Sequence, residues 1–421
     1  MKDRSLPYFP TVEAIQFAAE KLQGIASKSP LEQHNRFSEE YNCTMLFKRE
    51  DLQQVRSYKI RGAYNKISSL GSEDTKHGIV CASAGNHAQG VALSCQLLKI
   101  KGKIFMPAPT PNQKIEQVKM FGQGFVEVVL VGDTFDDSYH KALEECEQYN
   151  KPLVHPFNDP KVIEGQGTVG LEIIEQAKSP IDYIFIPVGG GGLASGLSSI
   201  VKALSPNTKI IGVEPAGAPS MSTSIEHGNV VQLDHIEKFV DGASVQRVGD
   251  LTFEICQKHL DVMTTVHEGK ICQTILDMYN KDAIVAEPAG VMSIAALDDF
   301  REEIRGKTVV CLVSGSNNDI TRTAEIKERA LLYANLKHYF IIKFPQRPGA
   351  LREFVVDMLG PQDDITHFEY TKKVNRENDV AVVGIQLKSQ TDLQPLITKL
   401  KAHNFFGDYL NDKPELFQFL V

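Results

Sequence analysis

No run of about 18 apolar residues occurs in this chain, so no membrane-spanning helix is expected. No Cys-x-x-Cys pair occurs either. The cysteines are Cys43, Cys81, Cys95, Cys146, Cys256, Cys272 and Cys311, scattered and odd in number. Neither a disulfide framework nor a zinc site is indicated, and a reduced, cytoplasmic protein is expected. A long basic run is also missing, and the formal net charge is -8. Nucleic acid and anionic lipid are therefore disfavoured as partners. The opening Met1-Lys2-Asp3-Arg4-Ser5-Leu6-Pro7 lacks the apolar core of a secretory signal.

What is present is ordinary for a soluble globular protein, with 42% apolar and 23% charged residues. At 421 residues the chain exceeds one compact core, and two or three domains are expected. Up to about residue 330 the pattern is α/β. Short runs, several rich in Val and Ile and bounded by Gly or Pro, read as buried parallel strands at 78–82, 103–106, 127–131, 183–188, 209–214 and 308–313. Helices are expected at 85–98, 112–120, 136–149, 193–204 and 289–297. A charged helix at 321–336 reads as a linker. Beyond it the order is strand 339–344, helix 349–359, strands 365–372 and 380–387, helix 393–403 and a short strand at 408–410. That β-α-β-β-α-β succession is the ferredoxin-like order.

Four segments carry chemistry. Lys59 lies in Ser57-Tyr58-Lys59-Ile60-Arg61-Gly62-Ala63. Its amine can form a Schiff base with an aldehyde cofactor, although a lone lysine is more often a surface residue. Ser83-Ala84-Gly85-Asn86-His87-Ala88-Gln89-Gly90 follows a strand and opens a helix. Ser83 and Asn86 could be simple N-caps or could join backbone N–H groups in a carboxylate cradle; His87 reads as a structural histidine. Gly189-Gly190-Gly191-Gly192-Leu193 joins a strand to a helix, where free N–H groups bind phosphate. Four consecutive glycines cost too much backbone entropy to be idle. The stretch also has a decoy. Gly189, Gly191 and Ala194 satisfy the dinucleotide fingerprint, and Glu214 stands where a ribose-binding acid would lie. Finally, Ser314 ends a strand at a Ser-Gly turn, a common feature that also places ligand groups in α/β enzymes.

Together and in this order, these segments resemble the threonine/serine dehydratase branch of the fold-type II pyridoxal-phosphate enzymes. The resemblance covers almost the whole chain. It implies two open α/β subdomains of the tryptophan synthase β-like fold within residues 1–330, the smaller near 50–155. It also implies a linker at 321–336 and an ACT-like regulatory module at 337–413. Lys59 would be the catalytic lysine and the anchor of pyridoxal 5'-phosphate. Asn86 would face the cofactor's 3-hydroxyl, and Gly189, Gly190, Gly191, Gly192 and Leu193 its phosphate. Ser314 would face its ring nitrogen. Ser83, Ala84, Gly85, Asn86 and His87 would hold the substrate carboxylate. A neutral hydroxyl at the ring nitrogen makes a weaker electron sink than a carboxylate partner, which favours prompt β-elimination.

Two departures separate this chain from serine racemases. Their second loop serine is Ala84 here, so two-sided proton transfer lacks its acid. Where their acidic cluster holds a divalent cation, this chain has Ser220 after Glu214-Pro215, and no metal is expected. The expected reaction is L-threonine to 2-oxobutanoate and ammonia, with L-serine as a secondary substrate. Isoleucine is expected to inhibit through the module at 337–413, whose first helix opens with Arg347-Pro348-Gly349-Ala350-Leu351, with valine opposing it, in a homotetramer. A nicotinamide oxidoreductase and a non-catalytic amino-acid sensor are the rival readings.

Overall fold

The apolar runs become strands in the computed structural model, which describes residues 8–371, 378–413 and 415–417. The chain divides into two units, Met1–Ile320 and Thr321–Val421. The first contains β1 (Leu31–Gln33), β2 (Thr44–Arg49), β3 (Ile79–Ala82), β4 (Gly102–Met106), β5 (Val126–Leu130), β6 (Tyr183–Pro187), β7 (Lys209–Pro215), β8 (Val262–Val266) and β9 (Thr308–Val313). One sheet has the order β1-β2-β9-β6-β7-β8 and is parallel except for the β1–β2 edge. A smaller parallel sheet has the order β3-β4-β5. All six strands expected in this unit are present. The unexpected ones have short apolar runs: β2 buries only Met45 and Phe47 among its apolar residues, and β8 is a half-exposed edge.

The strand order sets the position of the site. From β6 the sheet grows through β7 to β8 on one side, while β9 pairs with the other side of β6. Connections leaving the C-terminal ends of β6 and β9 therefore diverge, and the crevice between them is where open α/β sheets take ligands. Residues 189–193 follow β6 and Ser314 follows β9.

The helix Pro160–Gln176 was not expected, although its start is written in the sequence. Asp159 caps it by accepting from Lys161 N (2.8 Å) and Val162 N (3.1 Å), and Pro160 occupies its first turn. Its glycines bring two other helices to backbone contact. A Cβ on Gly165 would lie 2.5 Å from the Arg61 carbonyl oxygen, in the helix Lys59–Ser68. A Cβ on Gly196, in the helix Gly192–Leu204, would lie 2.2 Å from the Ile163 carbonyl oxygen. The Lys59 helix and the tetraglycine helix are thus both seated on Pro160–Gln176.

In the second unit, the helix Thr323–Tyr333 precedes β10 (Lys337–Pro345), β11 (Asp364–Thr371), β12 (Asn378–Gln386) and β13 (Phe406–Tyr409). The sheet is antiparallel with the order β11-β12-β10-β13, the ferredoxin-like arrangement. Phe340, Phe344, Phe354, Val383 and Phe405 form its core. Glu328 accepts from the Tyr339 hydroxyl (2.6 Å), so the helix expected as a linker packs on β10. The helix expected at 349–359 is α-helical only over Ala350–Glu353 and continues as a π turn over Phe354–Met358. Residue 372 of the expected strand 365–372 lies outside the described residues.

Gly196→Ala is expected to force the two helices apart, at a cost of about 1–3 kcal/mol from overpacking. A lowered thermal midpoint with unchanged secondary structure would register it.

Candidate active site

Lys59 is the first residue of its helix. The preceding loop is held to the Ser314 turn by backbone bonds: Tyr58 N donates to Ser314 O (3.3 Å) and Ser316 N to Arg56 O (2.9 Å), around a Ser57–Gly315 bridge. Two motifs about 250 residues apart in sequence are thereby fastened side by side. Gly90 permits the second close approach, because a Cβ there would lie 3.0 Å from the Lys59 carbonyl group. The helix Asn86–Leu98 therefore also abuts Lys59. Lys59 is half-buried, and its amine donates to Pro156 O (3.1 Å). Burial pulls its pKa down to about 8, against a smaller opposing effect of Glu287.

The loop after β3 is not N-capped by a side chain. Gly85 is the capping residue, and Asn86 is already helical. Ser83 Oγ instead accepts from Gly85 N (3.2 Å), and a Cβ on Gly85 would project into open space. Asn86 Nδ2 donates to Glu287 Oε1 (2.6 Å), and Asn86 Oδ1 accepts from Asn317 Nδ2 (2.7 Å). This ties the loop to the Ser314 turn. The His87 side chain is buried, with Nε2 2.9 Å from Val154 O, and burial followed by the charge of Lys59 pushes its pKa down to about 3. Its imidazole serves the core. Ser314 is buried and its hydroxyl donates to Ala289 O (3.2 Å).

Each glycine of the tetraglycine turn has a packing reason. Gly191 has φ +91°, in the left-handed region. A Cβ on Gly190 would lie 2.3 Å from the Phe157 ring, and one on Gly189 2.9 Å from the Ala243 backbone. Thr252 Oγ1 donates to Gly190 O (2.6 Å). The helix Gly192–Leu204 then begins with N–H groups that have no intrahelical acceptor.

Sequence reasoning missed the segment 154–158 and Glu287. His155 Nδ1 accepts from Phe157 N (3.2 Å) and Asn158 N (2.8 Å), folding a tight turn. That turn puts the Pro156 carbonyl on Lys59 and the Phe157 ring on Gly190. Glu287 precedes Pro288 at the start of a helix, a visible helix-start signal, but nothing local reveals that its carboxyl is buried beside Asn86. Burial, then the neighbouring Asp241, pushes its pKa up to about 7.

The dinucleotide decoy fails on geometry. Both Glu214 carboxylate oxygens are used at the start of the helix Ser220–His227: Oε1 accepts from Met221 N (2.6 Å), Oε2 from Ser222 N (2.8 Å) and Ser222 Oγ (2.7 Å). Buried among these donors, the carboxyl caps a helix and is not presented to a ribose. Ser220 Oγ donates to Val245 O.

An ionic cluster anchors the Lys59 helix. Arg61 is buried and grips both Glu50 oxygens (Nε–Oε2 2.9 Å, Nη2–Oε1 2.7 Å) and both Glu172 oxygens (Nη1–Oε1 2.7 Å, Nη2–Oε2 3.0 Å). Lys48, also buried, donates to Glu172 Oε2 (2.6 Å) and Ser29 O (2.7 Å). Burial alone would raise the Glu50 pKa; Arg61 and Lys48 hold it below the ordinary carboxylate value.

The crevice thus presents a half-buried amine with depressed pKa, a glycine-opened helix start and a buried hydroxyl. Ser57 Oγ, Ser244 Oγ and Asn317 Oδ1 are buried polar atoms without hydrogen-bond partners among the described residues, and all three lie in loops that border it. Amine, phosphate-accepting helix start and spare polar atoms fit pyridoxal phosphate. The fold and site are those of a fold-type II pyridoxal-phosphate enzyme.

Comparison with known proteins agrees. The family described as pyridoxal-phosphate dependent enzyme matches residues 22–315, and the C-terminal regulatory domain of threonine dehydratase matches residues 328–420. The chain is 54% identical to the biosynthetic L-threonine dehydratase IlvA of Halalkalibacterium halodurans, over 97% of this chain and 99% of that one. It is 52% identical to that of Bacillus subtilis, over 97% of both. Among solved structures it is similar to threonine deaminase isoform 2 of Solanum lycopersicum (TM-score 0.71, 40% identity, 77% of this chain and 90% of that one). It is also similar to serine racemase of Dictyostelium discoideum (TM-score 0.68, 31% identity, 74% and 99%). The chain belongs to the biosynthetic threonine dehydratases within the pyridoxal-phosphate dependent enzyme family.

Arg61→Ala would leave Glu50 buried, and Glu172 half-buried, without their main partner. We expect it to cost about 3–5 kcal/mol, read as an earlier denaturant midpoint.

Proposed function

We propose that this enzyme converts L-threonine to 2-oxobutanoate and ammonia, the first committed step toward isoleucine, with L-serine to pyruvate as a side activity. The observation that carries the reading is the half-buried Lys59 amine, which donates to the Pro156 carbonyl from the end of a loop that is fastened to the Ser314 turn and abuts the helix after the 83–90 loop. Lys59 would hold the cofactor's aldehyde end, Asn86 its 3-hydroxyl, Gly189, Gly190, Gly191, Gly192 and Leu193 its phosphate, and Ser314 its ring nitrogen. Bound pyridoxal phosphate supplies an electron-withdrawing ring that stabilises negative charge on the substrate α-carbon.

The chain's own residues do the rest. The lowered pKa of Lys59 raises the share of its amine that is neutral near neutral pH, and the neutral form can take a proton. Lys59, freed by the incoming substrate amine, removes the α-proton. The 83–87 loop, with the Ser83 hydroxyl and N–H groups at the helix start, holds the substrate carboxylate. The β-hydroxyl leaves with a proton as water, and the released aminocrotonate tautomerises and is hydrolysed by water to 2-oxobutanoate and ammonia. Ala84 offers no proton on the opposite face, which supports elimination over racemisation. Serine is accepted because a pocket that admits the threonine methyl cannot strongly reject a substrate lacking it.

The second unit supports control by an amino acid. The Arg347-Pro348-Gly349 turn borders a cavity of ≈ 280 Å³ lined also by Phe344, Phe368, Tyr370 and Asp379. Aromatic walls with a cation and a carboxylate suit a small apolar amino acid, and isoleucine as inhibitor, opposed by valine, is the proposed pair. Control of this kind needs a coupling of only about 1–3 kcal/mol. A cytoplasmic homotetramer completes the proposal; no helix among the described residues is long and apolar enough to cross a membrane.

Incubation of the pyridoxal-phosphate-loaded protein with L-threonine should give 2-oxobutanoate that falls on adding isoleucine. Lys59→Ala should reduce turnover by at least about a thousandfold, the combined loss of anchor and base. Wild-type turnover in that variant would overturn the mechanism, and isoleucine-insensitive turnover would remove the proposed effector.

A further inference from the structure

Asn86 can serve a ligand in two ways, as N–H donor or as carbonyl acceptor, and rotation of its amide exchanges them. Its neighbours decide between the two. The Val55 backbone carbonyl can only accept, and Asn317 Nδ2 donates to it (2.9 Å). Asn317 is thereby held with its NH2 group toward Val55, and the same NH2 donates to Asn86 Oδ1 (2.7 Å). With Oδ1 so engaged, the Asn86 NH2 group faces the other way and donates to Glu287 Oε1 (2.6 Å). A flipped Asn86 would set its NH2 against the NH2 of Asn317, and its carbonyl against the Glu287 oxygen, which repels it whenever Glu287 is ionised. Glu287 cannot easily move aside: a Cβ on Gly315 would lie 2.1 Å from its Oε1, and it is buried at the start of the helix Pro288–Ala295. Polarity therefore runs in one direction through Val55, Asn317, Asn86 and Glu287. One Asn86 N–H is consumed by Glu287, and the second is left for a ligand.

We propose that Glu287 and Asn317 are positioning residues that lock the Asn86 amide as a donor, so that the site selects an oxygen acceptor at the 3-position of the pyridine ring. This rests on the reading that Asn86 faces the cofactor's 3-hydroxyl. Glu287 acts through Asn86, and Asn317 transmits the fixed polarity of the Val55 carbonyl.

The test compares the affinity of cofactor-free protein for pyridoxal phosphate and for its 3-deoxy analogue, by fluorescence titration. The wild type should prefer pyridoxal phosphate. Glu287→Gln presents an amide that can meet either end of Asn86, and should cut that preference by about fivefold or more, the scale of one hydrogen bond. Affinity for the 3-deoxy analogue should stay the same. Asn317→Ala, which releases the other end, should do likewise, and carries the test if Glu287→Gln fails to fold. Loss of affinity for both ligands equally, or an unchanged preference in a folded variant, would overturn the inference. Asn86→Ala separates the two levels. If it reduces the preference and the flanking variants do not, the lock alone is wrong. If it leaves the preference intact, the assignment of Asn86 falls and takes the lock with it.

Discussion

The buried Arg61 guanidinium is the constraint on which the rest of the site depends. Two residues before it on the same helix stands Lys59. The partners of Arg61 come from elsewhere: Glu50 from the turn after β2, Glu172 from the helix Pro160–Gln176. Two acids and two bases share this interior, since Lys48 joins from β2. Such a cluster is tolerable only with every donor engaged, and each Arg61 nitrogen is hydrogen-bonded. Its geometric demands fix where the helix begins. The Lys59 amine then emerges into a desolvated crevice, where lowering of its pKa follows from burial.

The same helix is seated by glycine on two sides. Gly165 lets Pro160–Gln176 approach the Arg61 carbonyl, and Gly90 lets Asn86–Leu98 approach that of Lys59. A lysine held by backbone contacts and by a charge cluster has little freedom beyond its own side chain. That suits the role proposed for Lys59, first as anchor and then as base. The small parallel sheet delivers the 83–90 loop, while adjacent strands of the large sheet deliver the glycine turn and Ser314. The loops are joined by Asn86, Asn317 and the Ser57–Gly315 bridge.

Much of this was legible in the sequence because the signals are local. The expected strands are apolar runs between breakers, and the tetraglycine acts through its backbone, so composition alone reveals it. The β-α-β-β-α-β order of the second unit was readable for the same reason. What escaped is tertiary. Glu287 looks like any acid before a proline until Asn86, distant in sequence, is folded against it. The turn at 154–158 has no periodicity, and its role comes from a histidine accepting its own backbone N–H groups. Glu214 misleads for a related reason. Its spacing from the glycines matches a ribose-binding acid, yet the nearer demand, the unsatisfied N–H groups opening Ser220–His227, claims both oxygens. Spacing records where a side chain starts; hydrogen-bond competition decides where it ends.

Lys59 is the one lysine proposed as the covalent anchor of the cofactor. Borohydride reduction of the pyridoxal-phosphate-loaded protein, followed by peptide mass spectrometry, tests it directly. One pyridoxyl-phosphate adduct is expected, on Lys59. An adduct on another lysine, with Lys59 unmodified, would contradict it.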